Sequence, residues 1–268
     1  MAMLDVFYIT FMLLGFLFYL RGNYLASGIM MGLSMLSKAM ALLAILGIMI
    51  HWAFTRRSEI LAELRFTWNA LRGKKGVPAA HSDLLGMIKF LVAIPIVWVV
   101  LLTLLEYPAS HQWANPIGRT WSMLSSHLSL VGITTSGIAT RPWTWLYYPG
   151  GLYYWYTPHY LGAIGWTVWA LVMPSMAYLI YEVIRRKARG QSIAPFALFW
   201  FVGVYGLLIV LELATNRYMY HFYFYPAIPA VSLAIAWCTL KLWGLARRGK
   251  KRRIAFLVGL SVYILATV

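Results

Sequence analysis

The chain has 268 residues, of which 62% are hydrophobic and 11% are charged, and its formal net charge is +16. Soluble domains carry about 25% charged residues, so this chain has too little polar surface to cover a water-soluble globule. Its basic residues lie in short clusters between apolar runs, which is typical of membrane-protein loops and argues against nucleic-acid binding. We therefore expect an all-α polytopic integral membrane protein without a nucleic-acid partner.

Apolar stretches of a length that can cross a bilayer follow one another along the chain. They lie in an N-terminal part, residues 1–105, and a C-terminal part, residues 161–268. They predict seven to eight transmembrane helices, at residues 6–20, 24–37, 39–55, 84–105, 161–181, 191–211, 218–240 and 254–268. Residues 106–160 between the two parts are predicted to form a long extracytoplasmic loop that is rich in aromatic residues. For residues 24–55, the alternative is one long tilted helix.

Positive charge predicts the orientation of these helices, because basic loops of membrane proteins face the cytoplasm. The basic segments are residues 56–75, 185–190 and 241–253. The opposite face then receives Asp5, Lys38, the long loop and the turn at Arg217. We therefore expect a multi-pass protein whose functional face is extracytoplasmic, in the cell membrane or an equivalent of the endoplasmic reticulum.

Four residues at the predicted extracytoplasmic ends of helices are candidates for chemistry. Asp5 opens the first helix, where it either interacts with the helix dipole or serves as a functional carboxylate. Lys38 and Arg217 are cations at helix ends, and each could simply extend its charge to lipid headgroups. Because they occur with His221 and a collar of tyrosines and phenylalanines, they favour a site for a lipid phosphate.

The aromatic loop contains a second group of candidates. Nine of the twenty residues 141–160 are aromatic, and they include Trp143 and Trp145 directly after Arg141. Such residues either form an interfacial belt or stack on sugar rings, and the sequence leaves both interpretations open.

Other kinds of site have little support in the sequence. The histidines His111, His127 and His159 lack the spacing of metal ligands, so we expect no metal. Glycine-rich phosphate-binding and dinucleotide motifs and the GxSxG motif do not occur, so we expect no cofactor. A transferase of this size without a nucleotide-binding domain would use a donor carried on a lipid.

Four stretches together resemble the dolichyl-phosphate-mannose–protein mannosyltransferase family, within the GT-C glycosyltransferases. The residues that carry this resemblance are "MLDVFYITFMLLGFLFYLRG", "SGIMMGLSMLSKAMALL", "HLSLVGITTSGIATRPWTWLYY" and "NRYMYHFYFYPAIPAV". The resemblance implies transfer of a mannose-like sugar from a polyprenyl or dolichyl phosphate to a protein hydroxyl or a lipid acceptor.

The resemblance also implies roles for individual residues. Asp5 matches a supporting acidic position, and Lys38, Arg217 and His221 would bind the donor phosphate. His127, Arg141, Trp143 and Trp145 would shape the sugar or acceptor site. The family's principal base lies in an Asp-Glu motif of the first outer loop, which has no counterpart here. We therefore expect the chain to be the later portion of a longer protein, and inactive alone if it is truncated.

Two other classes compete with an enzyme. A transporter would place ionisable residues in the middle of its helices, whereas here they lie at helix ends. A non-catalytic scaffold subunit fits a chain that lacks the principal base. The sequence leaves open the sugar, the polyprenol, the acceptor and the oligomeric state.

Overall fold

The computed structural model describes residues 2–72, 82–110, 115–128, 140–147, 152–156, 159–162, 165–185, 193–216 and 219–267. The chain divides into two compact units, Met1–Ser129 and Leu130–Val268. Their boundary lies inside the segment predicted as the long loop. Each unit has its own helices and its own buried apolar side chains.

The first unit is built from helices whose apolar faces pack on one another. They are α1 (Ala2–Leu20), α2 (Tyr24–Ser37), α3 (Ala41–Thr55), α4 (Arg57–Leu71), α5 (Ser82–Ser110) and α6 (Pro116–Leu128). Helix α2 packs against both α1 and α5. A tight turn joins α1 to α2: Gly22 has φ +74°, which suits glycine, and the Asn23 side chain caps α2 by accepting a hydrogen bond from the Ala26 N–H.

The segment 24–55 forms two helices, because the backbone leaves the helical conformation at Lys38, with φ −159° and ψ 125°. Asp5 at the start of α1 lies against Lys38 at the end of α2. At the other end of α1, the Tyr19 hydroxyl is 2.8 Å from Nδ1 of His51, near the end of α3 and the adjoining Arg56. Asp5 and Lys38 therefore lie at one end of the first unit and Arg56 at the other.

Glycines allow α2 to approach α5 closely. A Cβ atom built on Gly28 would lie 2.5 Å from the carbonyl oxygen of Phe90, and one on Gly32 would lie 2.8 Å from Cβ of Val97. Helices in membranes commonly pack through small residues spaced four apart, since backbone contact then replaces side-chain bulk. The small-residue stretch of the sequence is thus the packing surface that positions Lys38.

The second unit combines helices with a short hairpin. Its elements are β1 (Leu152–Tyr156), β2 (His159–Gly162), α7 (Trp166–Arg185), α8 (Ile193–Phe201), α9 (Leu207–Thr215), α10 (Ile228–Ala246) and α11 (Lys250–Thr267). The strands pair antiparallel, with Leu152 opposite Gly162 and Tyr156 opposite His159. A π-helical segment, Val202–Gly206, continues α8 into α9. Helix α10 packs against α7 and α8.

Two 3₁₀ turns of the second unit position the candidate residues. One covers Pro142–Leu146, and the other covers His221–Ala227 and leads into α10. Pro226 lies in the second turn and Pro229 in the first turn of α10, where a missing N–H costs no helical hydrogen bond. The prolines therefore mark the start of α10 and do not bend its interior.

Four helical segments in the described parts of the chain are long and apolar enough to cross a membrane. They are Asp83–Pro108, Trp166–Arg185, Ile193–Thr215 and His221–Ala246. Shorter apolar helices cover Leu4–Leu20, Tyr24–Ser37 and Ala41–Thr55. Apart from the hairpin, the helical class predicted from the sequence is confirmed, and the four segments are consistent with an integral membrane protein. The larger count of seven to eight spans stays a prediction.

Candidate functional site

The first group of candidate residues is the pair Asp5 and Lys38. Asp5 lies in the first turn of α1, and the ammonium of Lys38 forms an ion pair with its carboxylate. The two side chains are 24% and 23% exposed, so both are partly shielded and both reach the surface. The sequence predicted a catalytic carboxylate and a phosphate-binding cation as separate features, and the structure brings them into direct contact.

The aromatic ring of Tyr8 lies next to this ion pair. The Lys38 Nζ lies 6.0 Å from the ring centroid of Tyr8, which is only 1% exposed. The Ser34 hydroxyl donates a hydrogen bond of 2.8 Å to the Tyr8 carbonyl oxygen and so fixes α2 against α1. Among the described residues the buried Tyr8 hydroxyl has no hydrogen-bond partner, an arrangement that costs about 1–3 kcal/mol. Packing, not hydrogen bonding, therefore sets the position of this ring.

The second group surrounds Arg141, which precedes the Pro142–Leu146 turn. Its guanidinium forms an ion pair with the carboxylate of Glu212, which is 1% exposed in the last turns of α9. The same Nη1 atom donates a hydrogen bond of 2.9 Å to Oδ1 of Asn216. Asn216 ends α9 in the left-handed conformation, with φ +47°, which asparagine tolerates better than most residues. The end of α9 is therefore shaped to hold one nitrogen of Arg141.

The remaining face of Arg141 is accessible. Its side chain is 44% exposed, and its Cζ lies 5.6 Å from the ring centroid of the half-buried Trp143. Among the described residues, both polar contacts of the guanidinium use Nη1, whereas Nε and Nη2 carry further N–H donors. A fixed guanidinium beside an indole ring can bind an anion and an adjoining apolar ring face together.

Trp145 and His221 lie beneath this accessible pair and are themselves buried, at 1% and 7% exposed. Nε1 of Trp145 donates a hydrogen bond of 2.8 Å to the Thr140 hydroxyl, which also lies 3.4 Å from Nδ1 of His221. The two rings pack with centroids 5.6 Å apart. In this conformation they support the Arg141 turn and do not present a surface to a ligand.

Further hydrogen bonds fasten the same turn to neighbouring helices. The Tyr205 hydroxyl donates a hydrogen bond of 2.8 Å to the carbonyl oxygen of Pro142. Nε1 of Trp169 donates a hydrogen bond of 3.0 Å to the carbonyl oxygen of Trp145. Since these donors come from the π-helical segment and from α7, the turn is held on two sides. The position of Arg141 is consequently fixed by buried contacts although its side chain is exposed.

Other predicted site residues cannot be placed in the same detail. Arg217 and His111 lie outside the described residues. His127 belongs to α6, but its side-chain surroundings also lie outside the described part. Within that part, no group of three histidine, cysteine, aspartate or glutamate side chains could hold a metal ion.

Sequence reasoning missed two residues of the Arg141 group, Glu212 and Thr140. The partner of Glu212 in the structure is Arg141, which lies far away in the sequence. The signal for Glu212 was its position inside an apolar run, because ionisable residues within membrane helices are rare and mark functional or paired positions. Thr140 had no signal of its own, because its role depends on the folded positions of Trp145 and His221.

The comparisons with known proteins add no relative to this description. No family model, no curated protein and no solved structure matches the chain.

Proposed function

We propose that the chain belongs to a membrane glycosyltransferase that uses a polyprenyl-phosphate sugar. The enzyme moves a mannose-like sugar from a polyprenyl or dolichyl phosphate to a protein hydroxyl or a lipid acceptor on the extracytoplasmic face. The proposal rests on the resemblance of the four sequence stretches, and it is supported by one observation in the structure. That observation is the exposed guanidinium of Arg141, fixed by the buried Glu212 and lying over Trp143.

This arrangement suits a sugar phosphate for a physical reason. Planar guanidinium groups bind phosphate oxygens through two parallel N–H donors, and aromatic rings pack on the apolar faces of sugars. Arg141 and Trp143 offer both contacts on adjoining surfaces. Holding the guanidinium in advance reduces the conformational entropy that binding would otherwise cost.

Other residues take supporting roles in the proposal. Asp5 is the supporting carboxylate, and its ion-pair partner Lys38 provides a cation for the donor phosphate. Arg217 contributes to the phosphate site, whereas His221 acts indirectly by supporting the Arg141 turn. Stabilisation of the departing phosphate is the main catalytic effect of the cations. The principal base is not assigned to any residue of this chain.

The test is sugar transfer in membranes from cells that express the complete native gene. Labelled polyprenyl-phosphate mannose is supplied, and label in protein and lipid fractions is counted for the wild type, Arg141→Lys and Arg119→Lys. Arg141→Lys keeps the charge but loses the planar fork, so we expect transfer at low donor concentration to fall about tenfold, the equivalent of roughly 1.4 kcal/mol.

Arg119→Lys is the matched control, since Arg119 is an exposed arginine on α6 that pairs with Glu106 at 2.7 Å. We expect its transfer rate to equal that of the wild type. Absence of transfer by the wild type from mannose, glucose and N-acetylhexosamine donors alike would reject the enzyme and favour a scaffold or transport subunit. Equal rates for the two variants would remove Arg141 from the site.

A further inference from the structure

A second site lies between α7 and α10, away from the Arg141 group. The two helices enclose a cavity of about 320 Å³, which is at the lower end of the ~300–1,000 Å³ typical of ligand sites. Most of its lining is apolar, and it includes Leu171 and Pro174 of α7 and Ile235 of α10. Ser175, Tyr178, Thr239 and Lys241 also line it and supply polar groups.

The ammonium of Lys241 and the hydroxyl of Tyr178 lie toward the C-terminal ends of the two helices. Lys241 lies 4.0 Å from the carboxylate of Glu182 in the last turns of α7, so the C-terminal ends of α7 and α10 lie side by side. Leu171 and Ile235 precede Tyr178 and Lys241 by seven and six residues, a distance of about 10 Å along each helix. The cavity therefore has an apolar end at Leu171 and Ile235, and an ammonium and a hydroxyl about 10 Å from that end, next to Leu242 and Leu245.

The ammonium of Lys241 is held in place. The Tyr178 hydroxyl donates a hydrogen bond of 2.8 Å to Oε1 of Glu182, which is 4% exposed, and Nζ of Lys241 lies 4.6 Å from the ring centroid of Trp237. At 4.0 Å, Oε2 of Glu182 is beyond hydrogen-bond distance from Nζ, so the pair leaves room for an anion to accept from the ammonium.

Strong positive charge continues beyond Lys241. Residues 247–253 contain six lysines and arginines, and all six side chains are exposed. Basic pockets between membrane helices, next to a cluster of four to eight cations, bind anionic phospholipid headgroups. We propose that the cavity between α7 and α10 binds an anionic phospholipid, with one acyl chain among Leu171, Pro174 and Ile235 and the phosphate at Lys241.

Cys238 provides a direct probe of this site, because it lines the cavity and is the only cysteine of the chain. The purified, delipidated chain is titrated with phosphatidylglycerol or phosphatidylcholine of identical acyl chains, and the rate of Cys238 alkylation by N-ethylmaleimide is measured. We expect phosphatidylglycerol to protect Cys238 at about fivefold lower concentration than phosphatidylcholine, because one contact between an anionic headgroup and a lysine gives a preference of about this size.

Paired variants separate this site from general electrostatic attraction. Lys241→Gln should remove the preference for phosphatidylglycerol, whereas Lys250→Gln, at an exposed lysine of the basic cluster, should retain it. Thr239→Trp fills the cavity and should abolish lipid protection, whereas Leu240→Trp changes a neighbouring residue that is 62% exposed and should not. Size-exclusion profiles and circular dichroism establish that each variant is folded.

Three results would overturn the proposal. Equal protection by the two lipids would mean that the cavity does not select a phosphate headgroup. Equal loss in Lys241→Gln and Lys250→Gln would mean that the basic cluster acts only as a diffuse charge. Protection by inorganic phosphate alone would mean that the acyl chain contributes nothing.

Discussion

Arg141 and Glu212 form an ion pair in which the carboxylate is 1% exposed and the guanidinium is 44% exposed. Burying a carboxylate without a partner is expensive, whereas an arginine near the surface can be solvated by water. The two members of the pair are therefore unequal. Removing the arginine leaves a buried charge, and removing the glutamate leaves a cation that can still reach solvent.

The asymmetry of this pair predicts the order of stability in a mutant series. Arg141→Ala should lower the free energy of unfolding by about 1–3 kcal/mol, less than the ~3–5 kcal/mol for a pair with both members buried. Glu212→Gln should cost less, and the double variant should be more stable than Arg141→Ala alone. Thermal unfolding midpoints in one detergent give the order. Additive losses in the double variant would show that the two residues are not coupled.

The Asp5–Lys38 pair should contribute less to stability, because both side chains are about a quarter exposed. Pairs of this kind are worth about 0.2–1 kcal/mol, and salt screens them. A double-mutant cycle with Asp5→Asn and Lys38→Gln, measured at low and high salt, should give a coupling within that range at low salt. A coupling that does not fall at high salt would contradict this description of a partly solvated pair.

Asp5 gives a separate prediction about activity. If Asp5 supports sugar transfer, Asp5→Asn should reduce turnover about tenfold or more, a far larger effect than its stability cost explains. Glu59→Gln is the matched control, since Glu59 also pairs with an arginine, Arg56, and is 50% exposed. An unchanged turnover in Asp5→Asn would return Asp5 to the helix-dipole interpretation.

Local signals in the sequence located much of the helical framework. Helix α2 begins at Tyr24 and ends at Ser37, as the predicted stretch does, because Asn23 is a capping residue and the apolar run stops at Lys38. The approach of α2 to α5 is likewise encoded in the small residues Gly28 and Gly32. Such features depend on neighbours within a few residues, so they can be recognised without knowledge of the fold.

Helix α6 also has a local signal in the sequence. It lies within residues 106–160, which were predicted as a loop, and it starts at Pro116. The Asn115 side chain accepts hydrogen bonds from the N–H groups of Ile117 and Gly118, at 3.1 and 3.0 Å. An asparagine cap followed by proline is a recognised start of a helix.

The contacts of the candidate site could not be obtained in this way. Arg141 meets Glu212 only because the Pro142–Leu146 turn lies against the end of α9, and the sequence contains no pattern that links these two segments. Burial of Trp145 and His221 has the same origin. Composition made both residues candidates for ligand contact, whereas packing decides which aromatic side chain of the turn stays accessible, and that residue is Trp143.

Gly28 offers a test of helix packing in the first unit. Gly28→Ala should destabilise the chain by about 1–3 kcal/mol, because the new Cβ would lie 2.5 Å from the backbone oxygen of Phe90 and the helices would have to separate. Gly244→Ala is the control, since nothing lies within 4 Å of a Cβ there and alanine favours helix. Thermal midpoints should fall for the first variant and hold or rise for the second. A tolerated Gly28→Ala would contradict the close approach of α2 to α5.

Thr140 offers a test of the support beneath Arg141. Thr140→Val keeps the shape of the side chain but removes the hydroxyl that accepts from Nε1 of Trp145, and an unsatisfied buried donor costs about 1–3 kcal/mol. Thr140→Ser keeps the hydroxyl and should remain near the wild type. The near-ultraviolet circular dichroism of the tryptophans should change in the valine variant only, together with a lower unfolding midpoint. If the two variants were equally stable, the Thr140 hydroxyl would not hold the turn, and the fixed position of Arg141 would have to depend on Tyr205 and Trp169.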